Sequence, residues 1–191
     1  MAKGAALFDR NGNRRYLNGS QRKAYFRAAS EEPDAAWRAF LLTLFYTGCR
    51  ISEGLNLTTE RIDLTENALV FETLKRRRRG LFRSVPIPDS LTELFKQVQV
   101  GLKPSARVWA FSRTTAYRLV KGKMTQAGII GGMACPKGLR HGFAVACIGQ
   151  NIPLTTVQKW MGHARLETTA IYLDVAGDDE RRFAKRLWAA G

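Results

Sequence analysis

Short extended runs are confined to one stretch of this chain, and segments with helical periodicity lie on both sides of it. The extended runs cover residues 61–64, 68–74 and 82–87. A Thr-Glu-Asn turn and an Arg-Gly loop separate them, and runs of this kind are typical of antiparallel strands. The sequence therefore predicts a mainly α fold with one small three-stranded antiparallel β-sheet.

Capping residues indicate where the predicted helices begin and end. Asn18 precedes a helix over residues 21–29, and Asp34 precedes an apolar helix over residues 36–46 that ends at Gly48. The remaining helices are predicted over residues 89–98, 112–126, 138–148, 154–161, 166–173 and 178–189.

The composition favours a polyanionic partner. Lysine and arginine number 31 against 16 aspartate and glutamate, so the 191 residues carry a formal net charge of +15. A charge of this size suits nucleic acid, and double-stranded DNA is the predicted partner. No apolar run approaches the ~20 residues that span a membrane. The first residues also lack the pattern of a secretory signal, so we expect a cytoplasmic protein with no membrane segment.

The cysteines and carboxylates do not form a pattern typical of a cofactor site. Cys49, Cys135 and Cys147 are odd in number and widely separated, with no CxxC pair. This arrangement argues against both a disulfide framework and a zinc site. The chain also has no GxxxxGK[ST] phosphate loop and no Cys/His cluster spaced for a metal. We therefore expect neither a metal nor a cofactor.

A histidine and a tyrosine lie close together in the motif GHARLETTAIY, which covers residues 162–172. A tyrosine hydroxyl can displace one oxygen of a phosphodiester and hold the strand covalently. The ordinary pKa of a phenol is about 10, and the leaving alkoxide is more basic still, so other groups must supply positive charge and a proton. The motif predicts Tyr172 as a nucleophile with His163 beside it.

Two motifs upstream can supply the positive charge. TGCRISE places Arg50 just after the glycine that ends the apolar helix, and Glu53 follows three residues later to orient the guanidinium. PKGLRHG places Arg140 in the first turn of another helix, with Lys137 one turn earlier. Arginine forks match pairs of phosphate oxygens. Lys75, at the end of the second predicted strand, suits a mobile acid.

In this order and spacing, Arg50, Lys75, Arg140, His163 and Tyr172 resemble the catalytic set of the tyrosine recombinase family, which includes phage integrases and Xer-type recombinases. The first box resembles the TGxRxxE of that family, and the last resembles its GHxxxxTTxxY. The match covers most of the chain, and the resemblance implies the fold of a tyrosine recombinase catalytic domain.

The resemblance also implies an activity, namely site-specific recombination or integration of DNA by a strand-transfer enzyme that needs no metal and no ATP. Tyr172 would attack the scissile phosphate to give a 3'-phosphotyrosine, and Lys75 would protonate the departing 5'-hydroxyl. The two arginines would clamp the phosphate, and His163 would donate a further hydrogen bond.

One position departs from the family pattern. Similar proteins usually have histidine three residues before the second arginine, where this chain has Lys137. An ammonium can still donate to a phosphate oxygen, so Lys137 is retained as a transition-state donor. It cannot serve as a base at neutral pH unless its pKa is much lowered. His141, beside Arg140, is expected to hold the helix or a backbone group.

Basic residues elsewhere are candidates for DNA contact. A run that follows Lys75 is interpreted as contacting phosphates, with a solvated turn or a localisation-like patch as the alternatives: Arg76, Arg77, Arg78 and Arg79. The helix predicted at 112–126 enters a major groove or is only an exposed basic face, and its basic residues are Arg113, Arg118, Lys121 and Lys123. Residues 154–163 resemble a helix-turn-helix element.

The domain organisation follows from these assignments. Residues 1–17 are predicted to form a basic flexible arm, and residues 18–177 the catalytic domain. Residues 178–191 form a C-terminal helix whose apolar residues Phe183, Leu187 and Trp188 favour exchange between protomers of a DNA-bound tetramer. Many members of the family carry a further N-terminal helical domain, so the chain is either a stand-alone form or part of a longer protein.

Two other functions remain open. A sequence-specific DNA-binding regulator on a recombinase fold would bind DNA without covalent trapping, and Lys137 would then reflect lost chemistry. A type IB topoisomerase would use a similar nucleophile and similar arginines but relax supercoils as a monomer. The TTAIY box ranks the topoisomerase last.

Overall fold

The computed structural model describes residues 7–73, 80–174 and 178–189. Its elements confirm the predicted fold class, with helices on both sides of a small antiparallel sheet. In chain order they are α1 Gly19–Ser30, α2 Ala35–Thr47, α3 Ile51–Leu55, β1 Ile62–Asp63, β2 Ala68–Glu72, β3 Phe82–Pro86, α4 Asp89–Val98, α5 Arg113–Gln126, α6 Pro136–Gly149, α7 Leu154–Met161, α8 Glu167–Ala170 and α9 Asp178–Ala189. Two 3₁₀ turns cover Thr59–Arg61 and Ile171–Leu173.

The strands form a sheet in the order β1-β2-β3, with both pairs antiparallel. Side chains alternate along β3, so Arg83 and Val85 are buried while Phe82 and Ser84 are exposed. Arg83 is paired with Phe71 of β2, and its guanidinium carbon lies 5.2 Å from the centroid of that ring. An arginine therefore occupies an inward-facing position of the sheet.

Helix α2 ends at the predicted glycine. Asp34 Oδ1 accepts a hydrogen bond from the first turn, and Gly48 ends the helix with a left-handed φ of 58°. A Cβ at Gly48 would lie 2.3 Å from a ring carbon of Phe143, so both the backbone and the close approach of α6 require glycine. This close approach brings the segment that carries Arg50 against α6.

Two hydrophobic clusters meet at α6. The larger one packs the flanking helices against the sheet and includes Phe40, Leu69 and Leu139. The smaller one includes Phe143 and Tyr172. Because α6 contributes buried side chains to both clusters, it separates the main core from the region around the candidate nucleophile.

The prediction of a flexible arm is wrong for residues 7–17. Leu7, Tyr16 and Leu17 are buried, and Leu17 N–H donates to Gly138 O at 3.3 Å. These apolar residues are scattered among polar ones, so the sequence shows no periodic pattern there. Their burial offsets the conformational entropy that is lost when the segment is ordered. This segment therefore covers one side of α6 and contributes to the smaller cluster. The first six residues lie outside the described part of the chain.

The single helix predicted over residues 166–173 is wrong. Helix α8 ends at Ala170, and a 3₁₀ turn carries Tyr172. Four residues with no side-chain cap form only one turn, and the tighter 3₁₀ winding then changes the direction of the following side chains. As a result Tyr172 is 1% exposed, while the neighbouring Leu173 is 56% exposed.

Helix α9 lies where the sequence predicted a C-terminal helix and contacts α6. Leu187 and Trp188 are exposed on it. Phe183, the third member of the predicted apolar stripe, lies outside the described side chains. Within the described ranges, no helix combines the length and the apolar character needed to cross a membrane.

Candidate active site

The guanidinium of Arg140 connects three parts of the site. It is buried in α6 and donates hydrogen bonds of 2.6 Å to both Gly48 O and Met161 O. Its Nη2 also lies 3.1 Å from His163 Nε2. Burial, and then the charge of Arg50, lowers the pKa of Arg140 to about 10, so the group stays cationic at neutral pH. The guanidinium of Arg140 therefore binds the C-terminal ends of both α2 and α7.

His163 is held on both ring nitrogens. A guanidinium can only donate, so His163 Nε2 accepts from Arg140, and Nδ1–H donates to Thr169 Oγ1 at 2.9 Å. Burial, followed by the charges of Arg140 and Arg50, lowers the pKa of His163 to about 3. The ring is neutral at pH 7. The predicted donation from His163 to a phosphate does not match this arrangement, because the ring nitrogen beside Arg140 is an acceptor here.

Glu53 binds two arginines at once. Its Oε1 accepts from Arg50 Nη1 at 2.6 Å, which is the contact the sequence predicted, and its Oε2 accepts from Arg83 Nη2 at 2.6 Å. Burial alone would raise the pKa of Glu53, but the charges of Arg83 and Arg50 hold it below its usual value. Gly162 has a φ of 61° and a Cβ there would lie 2.9 Å from Arg83 Nη1, so glycine at this position leaves room for the second guanidinium.

The candidate nucleophile Tyr172 contacts a residue to which the sequence gave a different role. The sequence predicts that His141 holds the helix or a backbone group, and in the structure its Nδ1 lies 2.8 Å from Tyr172 Oη. The two lie thirty-one positions apart and meet because the 3₁₀ turn packs on α6. The ring of His163 stacks on that of Tyr172, with 6.3 Å between centroids and 12° between planes.

The surroundings keep Tyr172 protonated. Burial raises its pKa to about 12, although Arg140 and Arg50 act in the opposite direction. Forming the phenolate at pH 7 would then cost about 7 kcal/mol. Burial, followed by Lys137 and Arg140, lowers the pKa of His141 to about 4, so this ring is also neutral. The resting site therefore holds a neutral phenol against a neutral imidazole.

Four predicted residues meet in one place. Arg140 Nη2 lies 3.1 Å from His163, whose ring stacks on that of Tyr172, and the charges of Arg50 and Arg140 act on the pKa values of both rings. Arg50 immediately precedes α3, and Arg140 lies in α6. His163 follows α7, and Tyr172 lies in the second 3₁₀ turn. Such a cluster can bind one anion and present a hydroxyl to it.

Lys137 forms no hydrogen bond or ion pair with this network in the described part of the chain. Helix α6 begins at Pro136, two residues earlier than predicted, so Lys137 lies in its first turn and Arg140 in its second. Lys137 is exposed, and its positive charge reaches the site by lowering the pKa of His141. Lys75, the predicted acid, lies outside the described residues, as does the predicted phosphate-contacting run of Arg76, Arg77, Arg78 and Arg79.

Helix α5 carries four residues that were predicted to contact DNA, and they differ in exposure. Arg113 and Arg118 are exposed and Lys121 is half-buried. Lys123 is different, because its Nζ lies 2.9 Å from Glu32 Oε2 and the two side chains are only 12% and 10% exposed. This ion pair makes Lys123 less available than Arg113 and Arg118 for the predicted contact with DNA.

Two residues of the site were not predicted from the sequence. Arg83 binds Glu53 and donates from Nε to Trp160 O at 2.8 Å, and Thr169 is the partner of His163 Nδ1. The signal for Arg83 was present, because it is a charge at an inward position of an alternating strand. Thr169 is fully buried, and nothing in the polar run around it distinguishes it from its neighbours.

A metal site has no candidate in the described part of the chain. In residues 7–73, 80–174 and 178–189, no three or more His, Cys, Asp or Glu side chains lie together in a way that could hold an ion. The cationic groups around Tyr172 would themselves repel one.

Comparison with known proteins identifies the family. The model of the phage integrase family matches residues 15–178, and the chain therefore belongs to that family. A tyrosine recombinase of Thermosipho africanus is 29% identical over 177 residues, which are 90% of this chain and 61% of the relative. The chain spans between half and about three fifths of the length of the first curated relatives it matches.

Solved structures agree with the fold. The crystal structure of XerA recombinase superposes with a TM-score of 0.76 at 24% identity, covering 90% of this chain and 64% of that one. XerH site-specific recombinase bound to its difH substrate superposes with a TM-score of 0.73 at 20% identity, covering 95% and 59%. The architecture is therefore that of the tyrosine recombinases.

Proposed function

We propose that this chain is the catalytic part of a site-specific DNA recombinase or integrase that cleaves and rejoins strands through a 3'-phosphotyrosine. The observation that carries this proposal is the cluster in which Arg140 contacts His163, His163 stacks on Tyr172, and the charges of Arg50 and Arg140 act on both rings. Family membership supports it, as do the names of the relatives, which are recombinases. The positive charge of +15 supports a DNA partner.

In the proposed reaction Tyr172 Oη attacks the scissile phosphorus. Arg50 and Arg140 bind the non-bridging oxygens, where negative charge increases in the transition state, and preorganised donors of this kind are worth the most inside a buried site. A bound phosphate would favour the protonated form of His163. His163 would then donate to a phosphate oxygen instead of accepting from Arg140. The exposed Lys137, in the first turn of α6, would add a further donor.

The leaving group needs a proton, and Lys75 is proposed to supply it. The phosphotyrosine bond retains the energy of the broken diester, so a 5'-hydroxyl from another strand can reverse the step. We therefore propose that the reaction needs neither ATP nor a metal. Replacing Lys75 should slow cleavage far more than it weakens binding. A 5'-phosphorothiolate substrate should restore cleavage because its sulfur leaves without an acid, and a Lys75 variant that is not rescued would contradict the assigned role.

DNA contact is proposed for three basic segments of the chain. Exposed residues of α5, at Arg113 and Arg118, can reach phosphates or a groove together with Lys121. The arginine run at residues 76–79 would add phosphate contacts beside the scissile bond. Helix α7 carries exposed Thr155 and Lys159 immediately before the segment that holds His163, and it is a third candidate.

Strand exchange between two duplexes requires several protomers, and we propose a tetramer on paired sites. The exposed Leu187 and Trp188 of α9 would pack on a neighbouring protomer. Deleting the chain after Gly177 should then abolish assembly on paired sites while leaving binding to a single site. Assembly that survives the deletion would contradict this part of the proposal.

Covalent capture tests the proposed function. A pool of nicked duplexes with randomised sites is incubated with the protein, and adducts that resist SDS are isolated and sequenced. Wild type should form such adducts on a limited set of sites, and Tyr172→Phe should form none although it still binds. Binding without an adduct would instead support a DNA-binding regulator. Relaxation of plasmid by monomers without a preferred site would support a topoisomerase.

A further inference from the structure

The contact between His141 and Tyr172 is buried on both sides. His141 is 4% exposed, Tyr172 is 1% exposed, and 2.8 Å separates Nδ1 from the phenolic oxygen. Neither side chain faces solvent, so the proton between them cannot be exchanged freely with water. The position of that proton decides what the pair can do.

The hydrogen bonds of the two side chains favour a proton on the phenolic oxygen and not on His141 Nδ1. His141 Nε2 is buried and has no hydrogen-bond partner in the described part of the chain. If His141 Nδ1–H donated to Tyr172, the phenolic hydrogen would have no acceptor among the bonds that these residues make. If Tyr172 O–H donates to Nδ1, that hydrogen is satisfied and only the Nε2–H of the ring is left without a partner. The second arrangement leaves fewer buried groups unpaired and is the preferred one.

The other titratable groups around the phenol cannot take its proton. His163 is occupied on both nitrogens by Arg140 and Thr169. Glu53 is bound by two guanidinium groups, and Lys137 is an ammonium without a lone pair. The lone pair of His141 Nδ1 is therefore the acceptor that the described site offers to the attacking tyrosine.

We propose that His141 is the general base of the cleavage step and accepts the phenolic proton as Tyr172 attacks; this assignment rests on the function proposed above. The bond from Tyr172 Oη to the scissile phosphorus forms while the phosphorus–O5' bond breaks. The phenolic proton moves to His141 Nδ1, and the departing O5' takes a proton from its own acid. In the rejoining step the imidazolium returns its proton to the phenolic oxygen as the tyrosine leaves. Atoms and charges balance in both directions.

The surroundings of His141 make this transfer transient. Lys137 and Arg140 face the ring from its own helix, and Arg15 faces it from the N-terminal segment; Tyr172 approaches it from the 3₁₀ turn. Three cations near a buried ring disfavour an imidazolium unless the negative charge of a bound phosphate offsets them. The proton therefore moves only when DNA is present and is readily returned.

Single-turnover cleavage of a captured DNA site tests the proposal. His141→Asn retains a hydrogen-bond acceptor but cannot take a proton, and it should slow formation of the covalent adduct by about 10²-fold or more. DNA affinity and the melting temperature are measured alongside. Val145→Ala truncates another buried side chain of the same helix, and it should cleave at close to the wild-type rate. If the asparagine variant does not fold, His141→Gln replaces it.

The pH profile separates a base from a residue that only positions the phenol. Wild type should show little change in cleavage rate from this group between about pH 6 and pH 8, because His141 is already unprotonated there. In His141→Asn, attack depends on prior loss of the phenolic proton, so the rate should rise by about tenfold per pH unit. A variant profile parallel to that of wild type would overturn the proposal.

Chemical rescue provides the second readout. His141→Ala leaves a space of imidazole size, and added imidazoles should restore cleavage with rates that rise with their basicity. Rescue that is independent of basicity, or cleavage by His141→Asn within a few fold of wild type, would assign His141 a purely structural role. If wild type itself forms no adduct, the proposed function fails; if wild type reacts and the His141 variants react equally well, only this inference fails.

Discussion

Arg83 Nη2 lies 2.6 Å from Glu53 Oε2, and this buried ion pair joins the last strand of the sheet to the short helix behind Arg50. The other carboxylate oxygen binds Arg50 itself at the same distance. Through Glu53, the position of the Arg50 side chain therefore depends on Arg83, a strand residue thirty-three positions away. The sheet contributes to the candidate site through this carboxylate.

Removing the charge of Glu53 should be costly. Glu53→Gln leaves the guanidinium groups of Arg83 and Arg50 without a counter-charge, and breaking a buried pair in this way lowers the free energy of unfolding by about 3 kcal/mol or more. Glu93→Gln is the matched control, because its pair with Lys96 is more than half exposed on average and should change that free energy by less than about 1 kcal/mol. Urea titration measures both, and similar losses in the two variants would contradict the prediction.

The two arginines of the site should differ in their structural role. Arg50→Ala and Arg140→Ala should each slow cleavage by about 10²-fold or more, because each removes a preorganised donor to the phosphate. Only Arg140→Ala also leaves the buried carbonyls of Gly48 and Met161 without their donor, at about 1–3 kcal/mol for each unsatisfied group. Single-turnover kinetics and thermal melts of both variants test this. An Arg140→Ala variant that melts at the wild-type temperature would show that the carbonyl contacts of Arg140 are unimportant.

Acid should destabilise the protein through its two histidines. The pKa values of His141 and His163 in the fold are about 4 and about 3, below the ordinary value of 6.5. At pH values between the folded and the ordinary pKa, the unfolded chain binds more protons than the folded one. The free energy of unfolding that the neutral rings contribute is therefore fully present above about pH 6.5 and decreases as the pH falls below that value.

The slope of stability against pH identifies the contribution of each ring. Replacing either histidine by asparagine should reduce the number of protons taken up on unfolding by up to one. The slope of the free energy of unfolding against pH then falls by at most about 1.4 kcal/mol per pH unit. Urea titrations at several pH values between about 4.5 and 7 measure it. A variant with the wild-type slope would mean that the replaced ring already titrates normally in the fold.

Helix α5 offers a test of the proposed DNA surface with its own control. Arg118→Ala and Lys121→Ala should weaken DNA binding and lower the dependence of log K on log salt by about 0.9 for each phosphate that the variant no longer neutralises. Lys123→Ala should leave that dependence unchanged and lower stability instead, because Lys123 is paired with Glu32. Fluorescence anisotropy over a range of salt concentrations measures the binding. An equal effect of all three substitutions would contradict the distinction.

Local signals predicted the elements whose ends depend on nearby residues. Asn18 and Gln21 form the reciprocal cap that begins α1, and Gly48 ends α2, because capping and left-handed backbone involve residues only a few positions apart. The sequence did not predict that residues 7–17 pack on α6, since that packing depends on surfaces that only the folded domain creates. The short helix α3 was missed for the same reason.

The amino-acid sequence by itself determined the fold class, which follows from periodicity, and the family, which follows from the resemblance of its motifs to those of the tyrosine recombinases. The same motifs predicted Arg50, Arg140, His163 and Tyr172 as site residues. Only the tertiary structure decided what those residues touch. It placed His141 on the phenol, added Arg83 and Thr169 to the site, and paired Lys123 with Glu32. Hydrogen bonds between residues far apart in the chain depend on how helices and strands pack, and periodicity along one segment carries no information about that packing.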